Sequence, residues 1–397
     1  MREARLPSLR PEIRAFLKRK TKKTKPEVFP EERNGRTMNI SISKNPCPGT
    51  LPAPETLGFG KYFTDHMFLM NYSPDKGWHD ARIVPYGPIE LSPASSVFHY
   101  GTEVFEGLKA YRRADGGVQL FRPWDNMARL NRSCARLGLP QVNEADALEA
   151  VKTLVTLDQN WVPSAPGTSL YIRPFLFSTD AELGLHGVKN ALFAVILSPV
   201  GSYFSAGIQP VPIMVETEDV RAVRGGTGEA KCGGNYGAAN RAGERAIEKG
   251  FSQVLWLDAI ERKYVEEGGG MNVMFKIAGK VVTPKLSGSI LDGITRRSGL
   301  AILRDWGVPT EERLLSLDEL MTAAENGTLE EAWCIGTAAV ISPIGSLFYN
   351  GRSYEINHNR IGELTEKLYN ELTGIQWGRI PDRFGWTCPL GTADSVK

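Results

Sequence analysis

The 397-residue chain lacks several features that would place it quickly. Its five cysteines (Cys47, Cys134, Cys232, Cys334 and Cys388) are widely scattered, odd in number and form no CxxC pair. That spacing argues against a disulfide framework or a zinc site and suits a reducing, intracellular compartment. The five histidines are equally dispersed, with no HExxH, so metal hydrolysis has no ligand set. The longest uninterrupted apolar run, Ala191 to Leu197, reads as a buried strand and falls far short of the roughly 20 residues of a membrane helix. Charge of one sign is also missing: 47 Lys and Arg face 45 Asp and Glu, so the whole-chain field attracts neither nucleic acid nor membrane.

What is present is 42% hydrophobic residues, enough for one large core or two moderate ones. The first 25 residues hold ten Lys or Arg against two Glu, a composition that predicts a disordered tail. Its Arg content allows a mitochondrial presequence, although the late lysine run is atypical, so cytoplasmic and mitochondrial locations both stay open. Residues 1–56 are expected to form this extension, with folded structure starting near Leu57. An α+β fold of two domains is expected after it, a small domain over 57–198 and a large one over 208–397. The small-residue segment 199–207 would link them.

In the first domain, an Asp115-Gly116 turn predicts a hairpin between Leu108–Arg112 and Val118–Arg122. Apolar spacing at Met127, Leu130, Cys134 and Leu137 predicts a helix from Pro123 to Gly138, and a second helix is expected over 145–157. Strands follow at 169–177 and 191–197. In the second domain, helices are expected at 236–249, 295–305, 317–325 (behind the capping box Ser316 to Glu319) and 359–373. Strands at 252–258, 273–277 and 331–335 separate them.

Two segments carry chemistry. Around Lys231, Arg224 to Gly237 sets one amine between glycine-rich stretches, but the flanking Ala230 and Cys232 rule out a nucleotide phosphate loop. Removing bulk around an amine suits covalent catalysis on an aldehyde, although an exposed, inert loop lysine fits the same window. Tyr264 to Asn272 stops a strand at Glu267 and turns through three glycines. A carboxylate so placed could face a pyridine nitrogen, or could be a solvated strand end.

Seven motifs in register are more specific than either segment alone. They are Tyr100 to Tyr111, Leu120 to Leu130, Tyr171-Ile-Arg173-Pro, Lys231 to Gly237, Glu267 with Met271-Asn272, Gly293 to Arg297, and Gly336 to Ala339. Their order resembles that of the branched-chain amino acid aminotransferases, enzymes of the class IV fold that use pyridoxal 5′-phosphate. The resemblance runs from about Phe59 to Trp377.

It implies that Lys231 forms the Schiff base and carries the proton, that Glu267 faces the ring nitrogen, and that Tyr236 bonds the ring hydroxyl. It also picks Arg129 for the phosphate, where spacing alone leaves Arg129, Arg132 and Arg136 as an equivalent stripe, and adds Ile294, Thr295 and Thr337 to the phosphate side. Phe59, Tyr100, Phe105, Tyr171 and Arg173 match the substrate pocket, with Ala338 donating to the α-carboxylate; each aromatic could equally be a core residue.

The implied reaction is reversible transfer of an amino group between an L-branched-chain or related hydrophobic amino acid and 2-oxoglutarate, by a homodimer without nucleic-acid or membrane partners. A D-amino acid aminotransferase, an aminodeoxychorismate lyase, or a non-catalytic relative acting as a binding module are the alternatives. Two departures stand out. Gly270 replaces a threonine of the mammalian members, and Gly336 to Ile341 lacks their cysteine pair, so their redox switch is expected to be absent.

Overall fold

A computed structural model describes residues 38–202 and 207–391. The basic tail, with its presequence reading, therefore lies outside the described residues, as do residues 203–206 of the expected linker. Folded structure begins well before Leu57, because Ser41 and Ile42 pair in parallel with Arg82 and Ile83. A two-residue strand of this kind has no periodicity of its own to announce it.

Strands β1 (Ser41–Ile42), β2 (His66–Ser73), β3 (Gly77–Pro85), β4 (Glu103–Phe105), β5 (Leu108–Arg112), β6 (Val118–Phe121), β7 (Ser169–Ser178) and β8 (Ala191–Val200) belong to one sheet. A second sheet is built from β9 (Val211–Val215), β10 (Gln253–Leu257), β11 (Val265–Gly268), β12 (Asn272–Ile277), β13 (Lys280–Pro284), β14 (Thr310–Arg313), β15 (Leu329–Gly336), β16 (Val340–Tyr349) and β17 (Arg352–Glu355). With β18 being Thr387–Pro389, strand order is β1-β3-β2-β8-β7-β5-β6-β18 in the first, with β4 on β7, and β11-β10-β9-β16-β15-β12-β13-β14 in the second, with β17 on β16. Sheet membership thus changes between Val200 and Val211. The last strand, β18 (Thr387–Pro389), departs from a large domain reaching the C-terminus, because it returns to pair with β6 of the first sheet.

Helices α1 (Ser96–Tyr100), α2 (Pro123–Leu137) and α3 (Glu144–Leu157) lie between strands of the first sheet. The apolar stripe of α2 (Met127, Leu130, Cys134) and that of α3 (Val151, Leu154) are fully buried in one core with Phe68, Ile172 and Val195. Alternation along β2 sends Met67 and Leu69 into a smaller cluster on the opposite face. Gly138 ends α2 at φ +69°, a left-handed cap that suits glycine. The Asn143 side chain accepts from the Asp146 amide at the start of α3.

Helices α4 (Gly233–Glu248), α5 (Ile294–Asp305), α6 (Leu317–Glu325) and α7 (Glu363–Gln376) serve the second sheet. Ser316 caps α6 as the motif predicts. Helix α4 starts three residues earlier than expected, on two glycines whose intrinsic propensity is poor. Tertiary contact overrides that propensity, since the Glu103 carboxylate of β4 accepts from the Gly233 amide. Among the described residues, no helix is long and apolar enough to cross a membrane.

Candidate active site

Lys231 is held by its backbone from three sides. Its amide donates to Ser133 Oγ of α2 at 2.9 Å, its carbonyl accepts from the Phe105 amide of β4 at 2.9 Å, and Glu103 secures Gly233 two residues later. The side chain is left to reach away from this clamp. Its Nζ donates to the Tyr236 hydroxyl at 2.7 Å and lies 4.7 Å from the Phe105 ring centre. Tyr236 is five residues on, in the first turns of α4, which is why the glycines before it matter: the helix can start close enough to bring the phenol back to the amine.

Glu267 is the penultimate residue of β11, which runs one residue past the expected stop, and is 3% exposed. Arg221 Nε pairs with its Oε2 at 3.1 Å, while Oε1 accepts from the Leu291 amide at 2.9 Å and from Asn272 Nδ2 at 3.2 Å. Burial raises the carboxyl above its ordinary range, opposed by the Arg221 guanidinium and the Leu291 amide. A carboxylate held this way is fixed in place and avid for a proton.

Arg129, on the inner face of α2, is 4% exposed and forks onto Glu106, with Nε to Oε1 at 2.7 Å and Nη2 to Oε2 at 2.9 Å. Burial alone would raise the Glu106 carboxyl; the Arg129 guanidinium, together with the Lys231 charge and the Asn126 amide, outweighs it and holds the group below its ordinary value. Arg129 Nη1 reaches the Asp292 carbonyl at 3.1 Å, at the mouth of α5. That helix has Gly293 as N-cap without a side-chain cap, and among the described residues the amides of Ile294 and Thr295 have no partner. Unpaired amides at the start of a three-turn helix, beside a guanidinium, suit an anion. Gly293 is required here because a Cβ would collide with the Asn272 side-chain oxygen.

These groups meet around one cavity of about 180 Å³. Its walls include Phe105, Arg129, Tyr171, Arg173, Lys231, Tyr236, Glu267, Ile294, Thr295, Thr337 and Ala338, eleven of the thirteen residues expected from sequence. Phe59 and Tyr100 stand apart from the walls. Phe59 packs edge-on to Tyr171, with ring centres 4.9 Å apart, and Tyr100 donates its hydroxyl to the Leu183 carbonyl. Arg173 Nη2 donates to the Tyr171 hydroxyl at 3.1 Å and stacks over Phe105 at 4.7 Å, joining three expected pocket residues. Gly107 is a second necessary glycine, since a Cβ there would strike the Tyr171 hydroxyl.

Sequence alone does not mark the supporting residues Arg221, Glu106, Ser133 and Glu103 as site residues. Glu103 and Glu106 sit inside the Tyr100–Tyr111 motif and could have been suspected as charges in a strand region. Arg221 and Ser133 have no spacing signal at all.

A family model for amino-transferase class IV matches residues 103–347. Branched-chain-amino-acid aminotransferase 2 of Bacillus subtilis is 53% identical over 362 residues, covering 91% of this chain and 99% of that protein. The branched-chain-amino-acid aminotransferase of Mycolicibacterium smegmatis is 45% identical, covering 90% and 100%. Among solved structures, the Escherichia coli branched-chain amino acid aminotransferase superposes with a TM-score of 0.69 at 26% identity, covering 81% of this chain and 98% of that one. A matched family model over residues 103–347, and relatives this similar along nearly their whole length, place the chain in the class IV aminotransferase family, with that family's fold.

Proposed function

We propose that this protein transfers an amino group reversibly between an L-branched-chain or related hydrophobic amino acid and 2-oxoglutarate, giving the branched 2-oxo acid and L-glutamate, with pyridoxal 5′-phosphate as its cofactor. The observation that carries the reading is the convergence of Lys231, Glu267 and Arg129, from three separate elements, on one cavity.

The donor set suits that cofactor. Arg129, the open amides of Ile294 and Thr295, and the Thr337 hydroxyl would hold its phosphate, while Glu267 would keep a proton on its ring nitrogen. When bound, the cofactor supplies an aldehyde for the amino group and a pyridinium ring that accepts electrons. The chain supplies the rest. Lys231 Nζ would carry the proton that leaves the amino acid Cα, the Tyr236 hydroxyl keeps that amine turned into the cavity, and the Glu103–Ser133–Phe105 clamp prevents its backbone from drifting. Ala338 would donate its amide to the substrate α-carboxylate. Phe105, Tyr171 and Arg173 would line the side-chain space, the guanidinium meeting the second carboxylate of glutamate. Phe59 and Tyr100 belong to the same proposal as groups at the rim.

A homodimer is part of the proposal. It is supported by the exposed Phe98 of α1 and by Leu183 and Leu185, 62%, 62% and 82% exposed respectively, which a second copy would cover.

The test is turnover of L-leucine against D-leucine with 2-oxoglutarate, followed through glutamate. L-leucine should react, D-leucine should not, and Lys231→Ala should lower the rate by about 10²- to 10⁴-fold or more and abolish the visible band of bound cofactor. Turnover of the D-isomer alone would transfer the assignment to a D-amino acid aminotransferase.

A further inference from the structure

Lys109 is a buried cation to which the mechanism above gives no task. It lies on β5, only 6% exposed, and its Nζ donates to the Ala338 carbonyl at 2.7 Å. Among the described residues no carboxylate pairs with it. Burial alone pushes its ammonium down to about 8. An ammonium withdrawn from water without a counter-charge is costly, so its surroundings must gain something from keeping it there.

The surroundings are the turn between β15 and β16. Gly336, Thr337 and Ala338 line the cavity, and among the described residues the amides of Thr337 and Ala338 donate to no protein group. Directly after the turn, Val340 has φ +63°, a left-handed conformation that a β-branched residue adopts only under constraint. Two bonds supply that constraint: the Ile341 amide to the Ala339 carbonyl at 2.8 Å, and Lys109 to the Ala338 carbonyl. The other cations around the cavity are engaged. Arg129 is neutralised by Glu106, Arg173 is stacked on aromatic rings, and Lys231 is hydrogen-bonded to Tyr236.

We propose that Lys109 is a positioning residue for the substrate α-carboxylate: from behind the turn it holds the Ala338 carbonyl so that the Thr337 and Ala338 amides face the cavity, and it supplies the positive charge behind them. This rests on the proposed function, and it deepens it by naming what makes a neutral turn attractive to an anion. The peptide that Lys109 polarises carries the Ala339 amide, so Lys109 acts on the Thr337 and Ala338 amides by fixing the turn and by its charge.

The test uses the cofactor-loaded enzyme and the variants Lys109→Met, which keeps length and loses charge, and Lys109→Arg, which keeps a cation. In Lys109→Met, KM for both L-leucine and 2-oxoglutarate should rise about tenfold or more while kcat holds within about threefold, and the visible cofactor band should persist. Calorimetry with 4-methylvaleric acid and its neutral primary amide, neither of which can react, isolates the carboxylate. The acid should bind about tenfold more weakly to Lys109→Met, the amide as it does to wild type, and Lys109→Arg should recover part of the loss.

Equal weakening of acid and amide, or unchanged binding of the acid, overturns the proposal. So does loss of the cofactor band in both Lys109→Met and Lys109→Gln, which would assign Lys109 to the fold itself. Wild-type turnover of L-leucine is the control that separates the two ideas. Its absence sinks the proposed function, whereas normal turnover with an unchanged KM in Lys109→Met sinks only the role of Lys109.

Discussion

The two ends of the cavity are built differently. At the inner end, Arg129 and Glu267 are 4% and 3% exposed, and each is held through at least two of its polar atoms by groups from distant parts of the chain. At the proposed rim, outside the walls, Phe59 and Tyr100 are 51% and 45% exposed, Phe59 meeting Tyr171 through a single ring contact and Tyr100 bonding the Leu183 carbonyl instead of a wall residue. Buried, cross-linked charges can be fixed in both position and protonation, which a proton-transfer reaction needs. Exposed aromatics are free to adapt, which a site that accepts both leucine and glutamate needs. The inner end should therefore break sharply under substitution and the rim only gradually.

The sharpest break expected among the supporting groups is Glu267→Gln. It removes the charge that would hold a proton on the cofactor ring, and it leaves Arg221 buried without its counter-ion. Removing one partner of a buried pair costs about 3–5 kcal/mol. We expect kcat/KM to fall by about 10²-fold or more, with a lower urea midpoint. Near-native turnover would show that the inner carboxylate is structural only.

A smaller effect is expected at Glu106, which supports Arg129 without lining the cavity. Its carboxyl is held below the ordinary 4.5, with the Arg129 guanidinium, the Lys231 charge and the Asn126 amide together outweighing burial. A depressed folded value means that the pair contributes stability above the ordinary value and loses it as pH falls through the folded one. Thermal midpoints of the wild type should drop as pH falls below about 4.5, whereas Glu106→Gln should start lower at neutral pH and lack that component of the acid limb. Parallel curves for the two proteins would contradict this. Weaker cofactor retention by the variant at pH 7, read from the visible band, would tie Glu106 to the inner end.

How much of this was legible follows the same division. Periodicity located α2, α3 and α6 closely, since Met127, Leu130 and Cys134 form a stripe and Ser316 caps in a recognisable box. The Asp115-Gly116 turn marked its hairpin. Strands such as β1 and β18 were illegible because two or three residues carry no period, and their pairing with β3 and β6 is set by tertiary contact. Lys231 and Glu267 stood out because glycines surround them, and Arg129 emerged from its stripe only through family resemblance. Arg221 could not be seen at all. It reaches Glu267 across 46 positions of chain, a contact decided by how β11 and the loop before Lys231 lie together.

The gentlest expected effect is at the rim. Tyr100→Phe keeps the ring and removes only the hydroxyl that reaches the Leu183 carbonyl. A neutral hydrogen bond of this kind contributes about 0.5–1.5 kcal/mol, and water can replace it at an exposed position. The segment carrying Leu183 should loosen while the inner end keeps its geometry, so kcat for L-leucine should stay within about threefold and the cofactor band should not move. The informative quantity is the ratio of kcat/KM for leucine to that for glutamate. If the rim adapts to side chains, the ratio shifts while both absolute values stay within an order of magnitude of wild type. A loss in both substrates as large as that of Glu267→Gln would mean that Tyr100 enters the reacting site, and the contrast between a rigid inner end and a yielding rim would have to be abandoned.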